Sequence, residues 1–516
     1  MHASKRPRTG LVLVESDDAI SAFEEMHRWR SIVDAGASWE DPDFPAAQIS
    51  IDGKATPDAV PAPAPAPTPA PAPAPAPVPA PGGAAPRCKC GVFATRSTVQ
   101  SNTANKGRPY FHCPSRTCGF FAWADGDPSQ PSRPGSSRPK EPLSWQRFPG
   151  LPVVTDYGFR AADLRQGGVG DCWFLSALAV VAERHDLIAR LFADTASNSA
   201  GCYGVRFFLD GAWTSVLIDD RLPVTAAPRR PDLAFAARLA FSRCGSEASG
   251  QLLWASLLEK AYAKAHGSYQ AISGGQISEA LLDLTGAPTL SVDFTERAFD
   301  SERLWASMRA WKRAELPMGC ATDRDPELKE VGLCGGHAYS VLSVTEVRLR
   351  GSGRVERLVR VRNPHGVGEW NGDWSDRSAK WSELLAADGA AASDSWGSPS
   401  GGRLERTGAD DGTFWIDWTH FLMGFSVVEV CLARRGWHCT SLPNAFPAKT
   451  SAWRVCSAIY RVTPPAEPTT LYLMALQPTK RGAWCRADRK KSYRPGDVSI
   501  FVARLGPAGE VQYRSR

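Results

Sequence analysis

Residues 166–179 read QGGVGDCWFLSALA, and they place a cysteine where a glycine-rich loop runs into an apolar helix. The first turn of a helix carries unpaired N–H donors and a partial positive charge, so this position favours the thiolate of Cys172 and predicts a lowered pKa. The loop glycines let the backbone approach a substrate carbonyl closely. The side-chain amide of Gln166 and the N–H of Cys172 can then form an oxyanion hole. The stretch therefore predicts a cysteine nucleophile.

A thiolate nucleophile needs a base and a group that orients the base, and two later segments offer them. His337 begins the apolar stretch HAYSV, and Asn363 directly follows the stretch RVR. Gly351 and Gly353 supply turn residues between the two stretches. The pattern predicts a β-hairpin that brings His337 near Asn363. The chain order Cys172, His337, Asn363 is that of a Cys-His-Asn triad.

Each of these three residues also has an ordinary structural interpretation. A buried cysteine is usually an inert small hydrophobe, and a histidine in a strand usually packs in the core. An asparagine before a proline usually makes a turn. The order of the three residues and their sequence context together favour the catalytic interpretation.

These motifs resemble the catalytic core of the calpains, the calcium-dependent papain-like cysteine proteases, over about residues 145–433. Further runs that carry the resemblance are IDDRLP (218–223), WASLLEKAYAK (254–264), HGSY (266–269), DLTG (283–286), WSD (374–376) and DGTFW (411–415). The resemblance implies an α+β fold in which a helical half holds Cys172 and a β-rich half holds His337 and Asn363. It also implies that His337 is the base, that Asn363 orients it, and that Gln166 helps to stabilise the oxyanion.

One position departs from the family pattern. The family has tryptophan after the Asn-Pro pair, whereas residues 363–366 here read NPHG. The family tryptophan covers the histidine–asparagine hydrogen bond and keeps water off it. With His365 in its place we expect a wetter bond and lower activity. His365 is alternatively a second titrating group near the site or a surface residue.

The resemblance also implies a calcium site in the second half of the core. Glu369, Asp376 and Asp411 fall on the matching positions, and the backbone carbonyls of Ala409 and Thr413 would complete the site. Oxygen ligands that include several carboxylates suit a hard cation such as Ca²⁺. The alternative is that these acids are ordinary surface carboxylates.

A calcium site in the first half matches the family pattern only in part. Asp163 and the carbonyl of Gly158 fall on matching positions. The glutamate expected just before Trp254 is absent, because the local run is GQLLW. Glu247 is the alternative donor, from a shifted loop. The sequence holds no EF-hand loop pattern.

Four cysteines in two close pairs lie upstream of the core and predict a tetrahedral zinc site. They are Cys88, Cys90, Cys113 and Cys118. With NKGRPYF (105–111) and CGFFAWAD (118–125), they resemble the GRF-type zinc finger over residues 87–125. That resemblance implies binding of single-stranded nucleic acid, and the mixture of basic and aromatic residues suits phosphates and stacked bases. The alternatives are that the aromatic residues form the core of the finger and that its partner is a protein.

Composition and linkers predict a multidomain intracellular protein. The chain has 516 residues, 43% of them hydrophobic, with a net charge of +6 and 13 cysteines. These cysteines are too few for a disulfide scaffold, so we expect a reducing compartment, the cytoplasm or the nucleus. No run approaches the roughly 20 apolar residues of a membrane span, and the N-terminus lacks the apolar region of a signal peptide.

The organisation that we expect runs along the chain in six parts. They are an N-terminal segment with a short helix within Asp17–Val33 (1–53), an Ala/Pro-rich linker (54–86), the zinc finger (87–125), a Pro/Ser-rich linker (126–144), the protease core (145–433) and a β-rich calpain-associated C-terminal domain (434–516). In the last part we predict strands over residues 453–462, 469–476 and 497–505.

Together these features predict a calcium-dependent cysteine endopeptidase that performs limited proteolysis of protein substrates. Zinc would be structural and calcium regulatory. The first alternative is a weak or inactive calpain-like scaffold that binds nucleic acid or protein through its finger. The second is another papain-like acyl-transfer enzyme such as a transglutaminase, which the asparagine at position 363 disfavours because those enzymes use aspartate there.

Overall fold

The computed structural model describes residues 27–53, 94–98, 109–112, 121–123, 143–225, 239–246, 250–350, 352–384, 395–397, 403–406, 408–437, 440–442, 470–477, 504–505 and 511–512. The chain divides into two compact units, and the smaller one comprises Pro57–Pro142. The larger unit comprises both Met1–Thr56 and Leu143–Arg516. In sequence, the smaller unit is therefore an insertion within the larger one.

The described helices belong to the larger unit. They are α1 (27–35), α2 (Gln48–Asp52), α3 (Cys172–Ala182), α4 (His185–Ile188), α5 (Trp254–Ala265), α6 (Ile277–Thr285), α7 (Ser301–Arg313) and α8 (Trp418–Gly424). Local sequence explains several of their ends. The Asp300 side chain caps α7 by accepting from the N–H groups of Glu302 and Arg303. Helix α6 ends at Gly286, whose φ of 68° suits glycine.

The described strands are mostly short and antiparallel. They are β1 (Thr95–Thr98), β2 (Pro109–His112), β3 (Phe121–Trp123), β4 (Ser144–Gln146), β5 (Leu164–Arg165), β6 (Cys202–Leu209), β7 (Ala212–Asp219), β8 (Leu222–Val224), β9 (Arg243–Ser246), β10 (Gly250–Leu252), β11 (Thr289–Asp293), β12 (Met318–Ala321), β13 (Ala338–Arg348), β14 (Val355–Arg362), β15 (Ser395–Gly397), β16 (Arg403–Glu405), β17 (Thr413–Asp417), β18 (Val427–Cys431), β19 (Arg504–Leu505) and β20 (Val511–Gln512).

The first half of the larger unit is built around α3. Residues 173–182 of this helix are all buried, as its uniformly apolar sequence predicts. Helices α5 and α6 and the β6–β7 hairpin contribute to the same hydrophobic core. This half therefore contains strands as well as the predicted helices, and the mixed helix and sheet content that we expected is confirmed.

The second half is an antiparallel sheet with the strand order β11-β18-β12-β13-β14-β17. The predicted hairpin is present, because β13 pairs with β14 from Ser340 opposite Arg362 to Arg348 opposite Val355. Helices α7 and α8 pack against this sheet, and the core between them includes Trp305 and Phe421.

Residues 27–53 pack on the first half although residues 54–142 separate them from it in sequence. The indole of Trp29 donates to the carbonyl of Cys202 over 3.1 Å. Phe44 is buried, and its ring lies 6.0 Å from that of Tyr269. Asp41 is also buried, and its carboxylate accepts from Lys264 over 2.8 Å. These contacts make the segment part of the folded core.

The smaller unit contains an antiparallel sheet of order β1-β2-β3. Thr95 pairs with His112, and Tyr110 pairs with Trp123. The four predicted zinc ligands, Cys88, Cys90, Cys113 and Cys118, lie outside the described residues.

The C-terminal part is described only in short pieces. The strand predicted over 469–476 is wrong for residues 470–476, which form no strand. They find no partner strand within the described residues, and Tyr472 instead stacks on Trp437 with ring centroids 5.2 Å apart. At the end of the third predicted strand, β19 pairs with β20, while residues 453–462 lie outside the described part. No described helix combines the length and the apolarity that a membrane span requires.

Candidate active site

Cys172 is the first residue of α3, at the end of the glycine-rich loop. The loop is tightly packed, because a Cβ added to Gly167 would lie 2.1 Å from the carbonyl oxygen of Phe241. The N–H of Gln166 donates to the carbonyl of Pro364 over 2.7 Å, which ties the loop to the segment after Asn363. The glycine-rich sequence thus fixes the start of the helix against the second half.

The hairpin brings the imidazole and the amide together. His337 immediately precedes β13 and Asn363 immediately follows β14, and both are buried. His337 Nε2 lies 2.9 Å from Asn363 Oδ1. The Asn363 Nδ2 group donates to the carbonyl of Gly368 over 3.0 Å, which fixes the orientation of the amide. Its Oδ1 therefore faces the imidazole as an acceptor, so His337 Nε2 carries the proton.

Two serine hydroxyls join the cysteine helix to the histidine strand. Ser176 Oγ donates to the carbonyl of Ala338 over 3.0 Å, and Ser340 Oγ donates to the carbonyl of Ser176 over 2.9 Å. These reciprocal bonds connect α3 with the beginning of β13. The two elements that carry Cys172 and His337 are therefore directly bonded to each other.

Burial dominates the electrostatics of both groups. Burial raises the pKa of the Cys172 thiol, although backbone N–H groups, foremost that of Ala338, oppose the rise. The predicted lowering is therefore wrong for the free thiol, because desolvation of the thiolate exceeds the effect of the helix terminus. Burial and then the charge of His365 lower the pKa of His337 to about 4, against an opposing effect of the hydrogen bond to Asn363. Within the described residues no hydrogen bond joins Cys172 to His337.

The Gln166 side chain, at the start of the glycine-rich loop, is buried. Its Nε2 donates to the carbonyl of Val169 over 2.8 Å. Its Oε1 is buried without a hydrogen-bond partner among the described residues. The amide is thus held within the loop that precedes Cys172.

Sequence reasoning missed the role of Arg362, which connects the two halves. This side chain is 1% exposed, although it belongs to β14 of the second half. Its Nη2 donates to the carbonyls of Ala162 and Leu164 in the first half. Burial lowers the pKa of Arg362 to about 10, and nearby Asp411 and Asp163 oppose that shift. The signal in the sequence that could have indicated this role is a charged residue directly before Asn363.

A pair of buried carboxyl groups next to Cys172 was also missed. Asp171 and Glu259 are almost completely buried. Burial and then the Glu259 charge raise the pKa of Asp171 well above its usual range. Burial raises the pKa of Glu259 to about 7, and both of its oxygens accept from the Ser242 N–H over 3.0 Å. Burial and the proximity of the two groups thus both favour the protonated form of Asp171.

The three acids of the second predicted calcium site lie near one another. Burial and then Asp376 raise the pKa of Glu369 to about 7, and burial followed by Asp411 raises that of Asp376. Glu369 Oε1 accepts from the N–H groups of Asp411 and Gly412 over 2.9 and 2.8 Å. Asp376 Oδ2 is buried without a hydrogen-bond partner in the described part. Mutual repulsion and an unpartnered oxygen fit a cation, although within the described residues no three His, Cys, Asp or Glu side chains are arranged to hold a metal ion by themselves.

The first predicted calcium site fits a cation less well. Asp163 is buried, and neither of its carboxylate oxygens has a hydrogen-bond partner among the described residues. Gly158 lies in the same loop with a φ of 71°. The two residues before Trp254 are Leu252 and Leu253, and both are buried in the hydrophobic core. Glu247 lies outside the described residues.

A cysteine at a helix start, packed against a hairpin that carries a bonded histidine–asparagine pair, is the arrangement typical of papain-like cysteine proteases. The family model described as "Calpain family cysteine protease" matches residues 127–432. The chain belongs to that family. The model described as "GRF zinc finger" matches residues 86–127, so the predicted resemblances to both families are confirmed.

Curated relatives agree with the family. Calpain-14 of Homo sapiens is 37% identical over 295 residues, covering 56% of this chain and 39% of that protein. Calpain-9 of Homo sapiens is 36% identical over 324 residues, covering 60% and 42%. The calpain-type cysteine protease DEK1 of Zea mays is 35% identical over 287 residues, covering 54% and 12%. The chain thus spans less than half the length of these relatives.

Proposed function

We propose that this chain is a calpain-type endopeptidase that cleaves protein substrates with the triad Cys172, His337 and Asn363. The observation that carries the proposal is the 2.9 Å contact between His337 Nε2 and Asn363 Oδ1. It lies on a hairpin bonded to the helix that begins with Cys172.

The hydrogen bonding assigns a role to each ring nitrogen. Because Asn363 accepts from Nε2, Nδ1 of His337 keeps its lone pair and can take the proton of the Cys172 thiol. The sulfur then attacks the substrate carbonyl, and the oxyanion receives hydrogen bonds from the Cys172 N–H and the Gln166 amide. His337 returns the proton to the leaving amine, which departs as the thioester forms. Water, deprotonated by His337, attacks the thioester and releases the acid and the thiol.

The raised thiol pKa and the lowered imidazole pKa have one consequence for this mechanism. Each group alone is uncharged at neutral pH. A thiolate and an imidazolium that form together stabilise each other, since opposite charges attract strongly in a buried site. We infer that Cys172 is activated by proton transfer to His337, which requires the two halves to be closely aligned.

We propose calcium as the regulatory ion of the second half, held by Glu369, Asp376 and Asp411 with the carbonyls of Ala409 and Thr413. A bound divalent cation would neutralise the repulsion among these carboxylates. Glu369 accepts from the N–H groups of Asp411 and Gly412, and the N–H of Asn363 donates to the carbonyl of Gly412 over 2.7 Å. A bound ion would therefore stabilise a loop that is hydrogen-bonded to the backbone of Asn363.

The other parts of the chain complete the proposal. Cys88, Cys90, Cys113 and Cys118 would bind a structural zinc ion, and the finger would bind single-stranded nucleic acid or a protein. The segment after residue 433 would be a β-rich accessory domain. We propose action in the cytoplasm or the nucleus.

Labelling by an epoxysuccinyl peptide, a reagent that alkylates activated protease cysteines, tests the triad. The full-length chain should gain one label at Cys172, located by peptide mass mapping, and both Cys172→Ser and His337→Ala should abolish it. Labelling that persists at Cys172 in His337→Ala would contradict the assigned base.

A second candidate function is a catalytically silent scaffold that acts through the finger. His365 in place of the family tryptophan, together with the low pKa of the His337 imidazole, favours it. The scaffold predicts no label at Cys172 in any variant, with or without calcium.

A further inference from the structure

His365 lies directly on the catalytic imidazole. The rings of His337 and His365 are stacked, with centroids 4.4 Å apart and planes 23° apart. The backbone N–H of His365 donates to Asn363 Oδ1 over 3.0 Å, so the same amide oxygen contacts both histidines. His365 is half-buried. It therefore occupies the position of a ring that covers the His337–Asn363 hydrogen bond.

Two stacked imidazoles at this separation cannot easily be protonated together, since like charges repel in a partly buried site. The charge of His365 lowers the pKa of His337, consistent with this geometry. Burial also lowers the pKa of His365 itself. A tryptophan at the same place would remain neutral, and its ring face would attract an imidazolium.

The charged groups around the pair do not offset this repulsion. Arg165 lies beside Gly366 on one side, and Arg324 lies beside the glycine that precedes His337. Asp410 is engaged by the Gly368 N–H over 2.8 Å. Among the described residues no carboxylate forms an ion pair with either ring. The Cys172 thiolate is thus the main counter-charge for an imidazolium at His337.

We propose that His365 is a positioning residue whose effect on His337 depends on its own protonation state. While neutral it covers the bond between His337 and Asn363, and once protonated it opposes the imidazolium that the thiolate of Cys172 requires. This inference rests on the proposed protease function. It predicts that the activated thiolate is lost at a higher pH than in a chain with a non-titrating ring at position 365.

The test is the rate at which iodoacetamide alkylates Cys172 in the full-length chain between pH 4 and pH 8, followed by mass mapping. The variants are His365→Trp and His365→Phe, with His27→Phe, at an exposed position of α1, as the matched control. Both substitutions at position 365 should move the acid limb of the alkylation-rate profile to lower pH by roughly one unit, the low end of the shift that a neighbouring charge produces. His27→Phe should leave the limb unchanged.

The outcomes distinguish a failure of this inference from a failure of the proposed function. If alkylation of Cys172 falls at the same pH in the wild type and in whichever position-365 variants fold, the proposed role of His365 is wrong. That holds even if peptide cleavage persists. Alkylation of Cys172 no faster than that of Cys334, the other partly exposed described cysteine, would instead overturn the activated nucleophile and with it the protease.

Discussion

At the scale of single residues, the proposed chemistry depends on the orientation of one imidazole. Asn363 is fully buried and fixed by contacts to His337 and Gly368. It thereby selects which nitrogen of His337 carries the proton. Removing the amide should leave the base present but free to rotate or change tautomer.

Asn363→Ala should lower kcat/KM for a peptide substrate roughly 100-fold, the low end of what a positioned proton-transfer group contributes. The matched control is Asn371→Ala, because Asn371 lies on the same segment but is exposed, and its side-chain amide donates to the Glu330 carbonyl. Steady-state kinetics at pH 7.5 provide the measurement. An Asn363→Ala enzyme that retains full kcat/KM would remove Asn363 from the mechanism.

Much of the geometry of this site could be predicted from the sequence, for physical reasons. A strand of β-branched and aromatic residues on each side of a glycine turn indicates a hairpin, and the hairpin alone brings His337 to Asn363. The pKa of Cys172 was mispredicted, because the sequence reveals a helix terminus but not how deeply the thiol is buried. The stacking of His365 on His337 was likewise not predicted, since a ring's orientation depends on packing.

At the scale of secondary-structure elements, the halves are connected through the end of β14. Arg362 is nearly inaccessible and donates to two carbonyls of the first half. An alternating strand sequence predicts which face a residue occupies, but not that an arginine reaches across to another half. This explains why the connection was not predicted.

Arg362→Met should reduce the free energy of unfolding by about 2 kcal/mol or more, because it leaves two buried carbonyls without their charged donor. Arg357→Met on the same strand should change it by less than about 1 kcal/mol, since Arg357 makes an exposed ion pair with Glu302. Urea unfolding of both variants measures the difference. Equal losses would show that Arg362 does not join the halves.

The carboxyl pair between α3 and α5 predicts a pH dependence of stability. The pKa of Glu259 is about 7 in the folded chain, against an ordinary value of 4.5, so the folded state holds a proton that the unfolded chain releases. Its contribution to stability is fully present below pH 4.5 and is lost as the pH rises towards 7. Glu259→Gln should therefore flatten the fall in unfolding free energy between pH 5 and pH 8. An unchanged slope would contradict the raised pKa of Glu259.

At the scale of the whole molecule, the finger unit is inserted within the protease unit. Asp41 donates its N–H to Asp219 across 178 residues of sequence. The residues of the larger unit that flank the insertion lie close to two neighbouring residues of its core. Gly53 approaches Ser268, and the ring of Trp145 lies 6.4 Å from that of Tyr269. Long-range contacts of this kind leave no local sequence pattern, which is why residues 1–53 were expected to be a separate segment.

Replacing residues 57–142 by a flexible linker of about ten residues should leave the protease unit folded, because a short Gly/Ser chain can join neighbouring ends. Deleting residues 1–56 instead should lower the thermal unfolding midpoint, since it removes the buried Phe44 and Asp41. Calorimetry of the two deletions provides the comparison. Loss of folding on removal of the insertion alone would contradict the nested arrangement.

The most direct test of the central claim is casein cleavage by the purified full-length chain, with calcium or with a chelator, beside a Cys172→Ala control. We predict cleavage that requires calcium and disappears in Cys172→Ala. Cleavage that survives in Cys172→Ala, or no cleavage by the wild type in either condition, would contradict the proposed calpain-type mechanism.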